Sequence, residues 1–135
     1  GKAKLREALS PGNVDASMAA PVTVVFGSDT RFHTQLPKLF PYADVAGPFA
    51  ANPALAAETA LRNSSLQGAY LMLAARALGL DCGPMSGFNQ EKMFSAFSAA
   101  TSIRTNFVCN LGYGNPASLT PRAPRLEFDE AARLA

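Results

Sequence analysis

Few residues in this chain have the types and spacing that chemistry requires. The single histidine, His33, sits among Arg31, Thr34 and Gln35, a polar stretch that predicts a surface side chain. Ser/His/Asp catalysis needs an oriented imidazole, and no Gly-x-Ser-x-Gly elbow accompanies this one. Cys82 and Cys109 have no evident base other than His33 and no metal-ligand spacing. Both lie in apolar surroundings and are expected to be reduced core thiols. Gly112-Tyr113-Gly114 is a fragment of a dinucleotide fingerprint without the later glycine and the following helix, so it is assigned to a turn.

Two features remain. Gly83-Pro84-Met85-Ser86-Gly87 follows a long apolar helical pattern directly and is rich in residues that let backbone approach a ligand. Composition alone favours a plain turn there over a ligand contact. Arg122 and Arg125, flanked by Pro121 and Pro124, are two stiffened cations three positions apart. Their guanidinium forks match phosphate oxygens, although two solvated basic side chains are again the simpler reading.

The elements that would position these groups follow from periodicity and punctuation. A helix is expected over Gly1 to Leu9, a turn at Ser10-Pro11-Gly12-Asn13, and one or two helical turns from Val14 to Ala20. Pro21 to Gly27, with Val22, Val24, Val25 and Phe26, is a β-branched run that suits a strand buried on both faces. Ser28-Asp29-Thr30 should cap a short amphipathic piece, and residues 41 to 53, with three prolines and a glycine, should form a surface excursion. Pro53 to Leu78 is the strongest helix, with Asn52 as N-cap, Pro53 in the first turn and Gly79 at the C-cap. From Leu66 to Leu78 it is apolar on nearly every face, which predicts a buried central helix, with Leu71 and Leu73 covered either in the core or at a dimer seam. Asn89 can cap a helix to about Ala99, Asn106 to Gly112 reads as a second strand, and Asp129 to Leu134 as a short terminal helix. Two strands are too few for an independent sheet, so further structure, N-terminal or from a partner, is expected.

The chain has 135 residues, one domain's worth, with 48% hydrophobic and only 16% charged residues. So sparse a charge count suggests that part of the surface is covered. A formal charge of +2, with no basic run, excludes an electrostatic footprint for nucleic acid. No apolar stretch reaches the roughly 18 to 20 residues that span a bilayer, and no signal peptide is visible, so a cytoplasmic protein without membrane or nucleic-acid partners is expected.

Taken together, the motifs resemble the nitroreductase superfamily. The resemblance is carried by Arg62-Asn63-Ser64-Ser65-Leu66-Gln67, Tyr70-Leu71, Ala77-Leu78-Gly79-Leu80-Asp81 and Gly83-Pro84-Met85-Ser86-Gly87-Phe88. Downstream it continues in Asn110-Leu111-Gly112-Tyr113-Gly114 and Pro124-Arg125-Leu126. With Leu36-Pro37-x-Leu-Phe-Pro41 added, it is most similar to the malonic semialdehyde reductases of reductive pyrimidine degradation, over almost the whole chain. The resemblance implies an α+β fold with a mainly antiparallel sheet flanked by helices, residues 1–135 forming one domain, and an intertwined homodimer with FMN at its interface. It implies hydride transfer from NAD(P)H through FMN to a small electron acceptor. Pro84, Met85, Ser86 and Gly87 would line the flavin ring, with the Ser86 and Gly87 N–H groups at its N5 edge. Arg122 and Arg125 would approach the phosphate. No catalytic acid/base dyad and no metal are expected. Family members carry helices and a basic phosphate-binding motif ahead of the position of Gly1, so part of the phosphate grip is expected to be missing. The alternatives are a broad nitro/quinone reductase and a flavin-binding module without turnover.

Overall fold

The computed structural model describes residues 1–134. Three strands, not two, make the sheet. β1 (Val22–Asp29) and β2 (Asp81–Met85) flank a central β3 (Ile103–Gly112), and both pairings are antiparallel. The third strand, β2, was concealed by Gly83 and Pro84. Proline is tolerated here because β2 is an edge strand, where one row of N–H groups has no ladder partner.

Helices cover both faces. On one lie α1 (Lys2–Ala8), α2 (Pro11–Ala19) and α6 (Gln90–Met93), the last continued by a π-type turn over Phe94–Ser98. Leu5, Ala8, Leu9, Met93 and Val108 form the buried cluster on this face, joined by Val25, Met85 and Phe88. The turn expected at Ser10-Pro11-Gly12-Asn13 is instead the start of α2, with Ser10 as N-cap and Pro11 at the first helical position, where its missing N–H costs nothing. The excursion contains α3 (Leu36–Leu39) and α4 (Gly47–Ala51). A capping box at Glu127 opens α7 (Phe128–Ala131).

The other face belongs to α5 (Pro53–Ala77). Asn52 Oδ1 accepts from the Leu55 N–H at 3.1 Å, and Gly79 has φ +79°, as the expected caps require. Its burial is not all-round. The residues turned to the sheet are Ala56, Ala60, Ser64, Gly68 and Ala75, a stripe of small side chains that lets helix and sheet approach closely. A Cβ on Gly68 would overlap the ring of Phe107, which stacks on Phe26 with centroids 4.3 Å apart. The large side chains point the other way: Leu66, Tyr70 (72% exposed), Leu73 (67%) and Leu78 lie open, while Leu71 is half-buried. Leu73 is thus not in this chain's core. β1 is also less covered than its apolar run suggests, with Val22 half exposed. No helix of the described residues is long and apolar enough to cross a membrane.

Candidate functional site

The first group of candidate residues sits at the end of β2. Strand pairing stops at Met85, opposite Val108. The alternation of the pleat turns Cys82 and Pro84 toward α5 and Met85 toward α2. The Met85 side chain is therefore a core group: Ser17, fully buried, donates its hydroxyl to Met85 Sδ at 3.5 Å. Met85 as a whole is half-buried, at the end of the β2–β3 ladder. Beyond it the chain is stitched to the first two helices. Gly87 O accepts from the Ser10 N–H and from Asn13 Nδ2, both at 2.9 Å, and the Asn89 N–H donates to Ala8 O at 2.8 Å. Leu9 and Phe88 form an isolated bridge. Asn89 Oδ1 caps α6 through the Lys92 N–H.

Within this anchored loop the Ser86 and Gly87 N–H groups donate no hydrogen bond among the described residues, and Ser86 is exposed. Two adjacent backbone donors are thus held in place and left available. Gly87 does not have positive φ. What makes it glycine is proximity: a Cβ would stand 2.5 Å from Asn13 Nδ2 and 3.4 Å from Ser10 Oγ. The constraint comes from α2, a neighbour that sequence reasoning did not connect to this loop.

Among the described residues, no hydrogen bond joins the second group to the first. Every residue from Tyr113 to Leu134 is exposed. Arg125 Nη1 donates to the Ala123 and Pro124 carbonyls at 2.8 and 3.1 Å, and neither Arg122 nor Arg125 has a carboxylate partner among the described residues. Both guanidinium groups are free to meet an anion. Gly112 ends β3 and Tyr113 and Gly114 follow as irregular chain rather than the turn expected, and the Gly114 N–H donates to Asp81 Oδ2 at 2.8 Å. Asp81 also pairs with Arg76. The Gly114 N–H foremost holds the Asp81 carboxyl below its ordinary range; desolvation opposes it, and Arg76 adds a lesser lowering. Nothing in residue type marks Asp81 in the sequence. The only signal is its place, just past the helix cap at Gly79, and it pairs with Gly112 at the end of β3.

The remaining candidates are Cys82, Cys109 and His33. Cys109 is fully buried, and burial pushes its thiol pKa up; Cys82 is half-buried and points its Sγ at Met72 O, 3.7 Å away. His33 is not the surface side chain expected: it is half-buried and its Nδ1 is enclosed without a partner. No group of three metal-ligating side chains occurs among the described residues.

A model of the nitroreductase family matches residues 2–113, ending just before the arginine segment. A Burkholderia lata protein provisionally named NADH dehydrogenase/NAD(P)H nitroreductase is 62% identical over 133 residues, covering 98% of this chain and 68% of that protein. A protein of Stenotrophomonas maltophilia K279a with the same provisional name is 62% identical over 134 residues, covering 99% and 68%. Among solved structures, a provisionally named nitroreductase of Exiguobacterium sibiricum in complex with FMN superposes with TM-score 0.82 at 18% identity, covering 99% of this chain and 71% of that one. A provisionally named NAD(P)H:FMN oxidoreductase of Staphylococcus epidermidis gives 0.81 at 17%, covering 99% and 70%. At such identities the superpositions establish the fold.

Proposed function

We propose that this chain, which belongs to the nitroreductase family, uses the loop at the end of β2 and the arginines of its C-terminal segment to hold FMN for NAD(P)H-dependent reduction of a small acceptor. Members of the family are oxidoreductases that work with FMN and NAD(P)H. The observation that carries the assignment to this site is the pair of unengaged N–H groups at Ser86 and Gly87, fixed from behind by Ser10 and Asn13. They fit the edge of a flavin ring, which needs donors where it takes up and gives back a hydride.

When bound, FMN supplies the hydride carrier between nicotinamide and acceptor. The chain's own residues place and polarise it. The Ser86 and Gly87 N–H groups donate to the ring edge, Pro84 and the Met85 backbone border it, and Arg122 and Arg125 bind the phosphate. Fixed donors cost no reorganisation at the moment of transfer.

The acceptor we propose is a small aldehyde, malonic semialdehyde, on the strength of the Gly-Pro-Met-x-Gly-Phe and Leu-Pro-x-Leu-Phe-Pro strings. The names of the relatives favour a second reading, a nitro-group reductase. We also propose a cytoplasmic homodimer, in which Leu66, Tyr70 and Leu73, one stripe of α5, meet a second copy. A purified protein that is yellow, releases FMN rather than FAD by mass analysis, and oxidises NAD(P)H only with an acceptor present is the expected result. Malonic semialdehyde should outperform nitroaromatics in kcat/KM; the reverse order selects the second reading. Released FAD, or NAD(P)H oxidation indifferent to acceptor, would remove the assignment.

A further inference from the structure

We propose that Asp81 is a positioning residue that joins the two halves of the flavin site, aiming the arginine segment from the same strand that ends in the Ser86–Gly87 edge. The inference rests on the proposed phosphate role of Arg122 and Arg125. Its basis is a contrast in tethering. Past Gly112, where β3 leaves the ladder opposite Asp81, the Gly114 N–H to Asp81 Oδ2 bond is the only hydrogen bond among the described residues that joins residues 113–134 to the rest of the chain. All other bonds of that segment are local, such as the Asn115 cap on Ala117 and the capping box at Glu127. None of its side chains is buried.

Asp81 is itself fixed. Arg76, in the last turn of α5, pairs with Oδ1 and donates to Leu80 O at 3.0 Å. This leaves Oδ2 for Gly114, whose hypothetical Cβ would stand only 3.2 Å from that oxygen. The end of α5, the start of β2 and the chain leaving β3 are thereby locked at one point. The four steps of β2 from Asp81 to Met85 cover roughly 13 Å. A ligand that is held at both ends of this strand feels the clasp only through its distal, anionic end. Without the clasp the segment samples directions in which its arginines miss the phosphate. Apparent affinity then falls with the fraction of chains in the competent arrangement.

The test compares FMN with riboflavin, which has the same ring and no phosphate, by flavin-fluorescence titration of the apoprotein. Asp81→Ala should weaken FMN roughly tenfold, a tenth of the competent population, and leave riboflavin unchanged. Asp81→Asn keeps an acceptor for Gly114 and should recover most of the loss. The effects of Asp81→Ala and of the double variant Arg122→Ala/Arg125→Ala on FMN should be non-additive, since both act through one contact. Equal weakening of FMN and riboflavin, additive effects, or no effect of Asp81→Ala while the arginine variant is impaired would overturn the positioning role. An arginine variant that binds FMN like the parent sinks the phosphate assignment itself, a different outcome from failure of the clasp.

Discussion

The two halves of the candidate site are built in opposite ways. The loop after β2 is held by Ser10, Asn13, Ala8 and Leu9 from the first two helices, and by Ser17 through Met85. Among the described residues, the segment carrying Arg122 and Arg125 is held by one hydrogen bond to Asp81. A ligand part that meets the first half finds its donors already placed. A part that meets the second must order exposed backbone and two long side chains, each costing on the order of 1 kcal/mol or more. Chemistry that tolerates no misplacement thus falls to the rigid half, and charge attraction, which works over longer distance, falls to the loose one.

The largest effect should come from disturbing the rigid half. Gly87→Val puts a branched side chain where even a Cβ stands 2.5 Å from Asn13 Nδ2. Either the loop or α2 must move. A shift of about 1 Å at a hydride-transfer site costs on the order of a hundredfold in rate, and overpacking against α2 should cost a further 1–3 kcal/mol or so of stability. Stopped-flow reduction of bound flavin by NADPH, alongside thermal melts, measures both. A stable variant with the parental reduction rate would make this loop an ordinary turn and erase the contrast.

Next in size is the loose half. Arg125→Ala should weaken FMN by about 1.5–3 kcal/mol through loss of a charge-assisted bond. The reduction rate of whatever flavin stays bound should hardly change. Arg125→Lys should recover only part, because the fork is lost. Isothermal titration of FMN gives the first number and single-turnover kinetics the second. A variant in which the rate falls as much as the affinity would show that the two halves do not divide the work as argued.

The elements were mostly legible, and the failures have physical reasons. Asn52-Pro53 and Gly79 bracket α5 because cap chemistry is local. Ser10-Pro11 obeys the same rule, yet the cluster Ser-Pro-Gly-Asn has the composition of a turn as well, and only the packing of α2 on the sheet decides. β2 escaped because Gly83 and Pro84 look like a loop, and strand pairing is a long-range property supplied by Asn110 and Cys109 of β3. In α5 the letters between Leu66 and Leu78 are apolar on nearly every face. A one-dimensional reading ranks residues by hydrophobicity, whereas the sheet chose the smallest side chains, since Phe26 and Phe107 already fill the space. The candidate loop and arginines were named from a resemblance. Their anchors, Asn13, Ser17 and Asp81, lie 74, 68 and 33 positions from the atoms they hold and left no trace in spacing.

That correction in α5 yields a smaller, two-sided prediction. Leu71 is half-buried and Leu73 is exposed in the single chain. Leu71→Ala should cost about 1 kcal/mol, half the value of a fully buried leucine, at any protein concentration. Leu73→Ala should be neutral in dilute protein and destabilising as concentration rises, because a residue at a seam between copies couples stability to association. Melts over a hundredfold range of concentration separate the two. A Leu73→Ala variant that melts like the parent throughout would leave this stripe of α5 outside any dimer contact.

The smallest effect concerns pH, and it tests the single tether directly. The Gly114 N–H and Arg76 favour the charged form of Asp81, so its pKa is lower in the folded chain than in the unfolded one. A depressed carboxylate contributes its stabilisation in full above the unfolded value, near 4 for an aspartate, and loses it as pH falls through the folded value. Between pH 8 and 5 the Gly114 amide should therefore keep constant protection from hydrogen exchange, once the intrinsic pH dependence of exchange is divided out. Below about pH 4 that protection should fall, while the amides in the middle of α5 still hold theirs. In Asp81→Asn the acid step should vanish, because the amide oxygen accepts at every pH. Because Asp81 is solvent-exposed, screening keeps the step small, and salt should shrink the Arg76 part of it further. A Gly114 amide that loses protection already between pH 8 and 5, or an acid step that persists in Asp81→Asn, would assign the tether to some other group, and the loose half of the site would have lost its one fixed point.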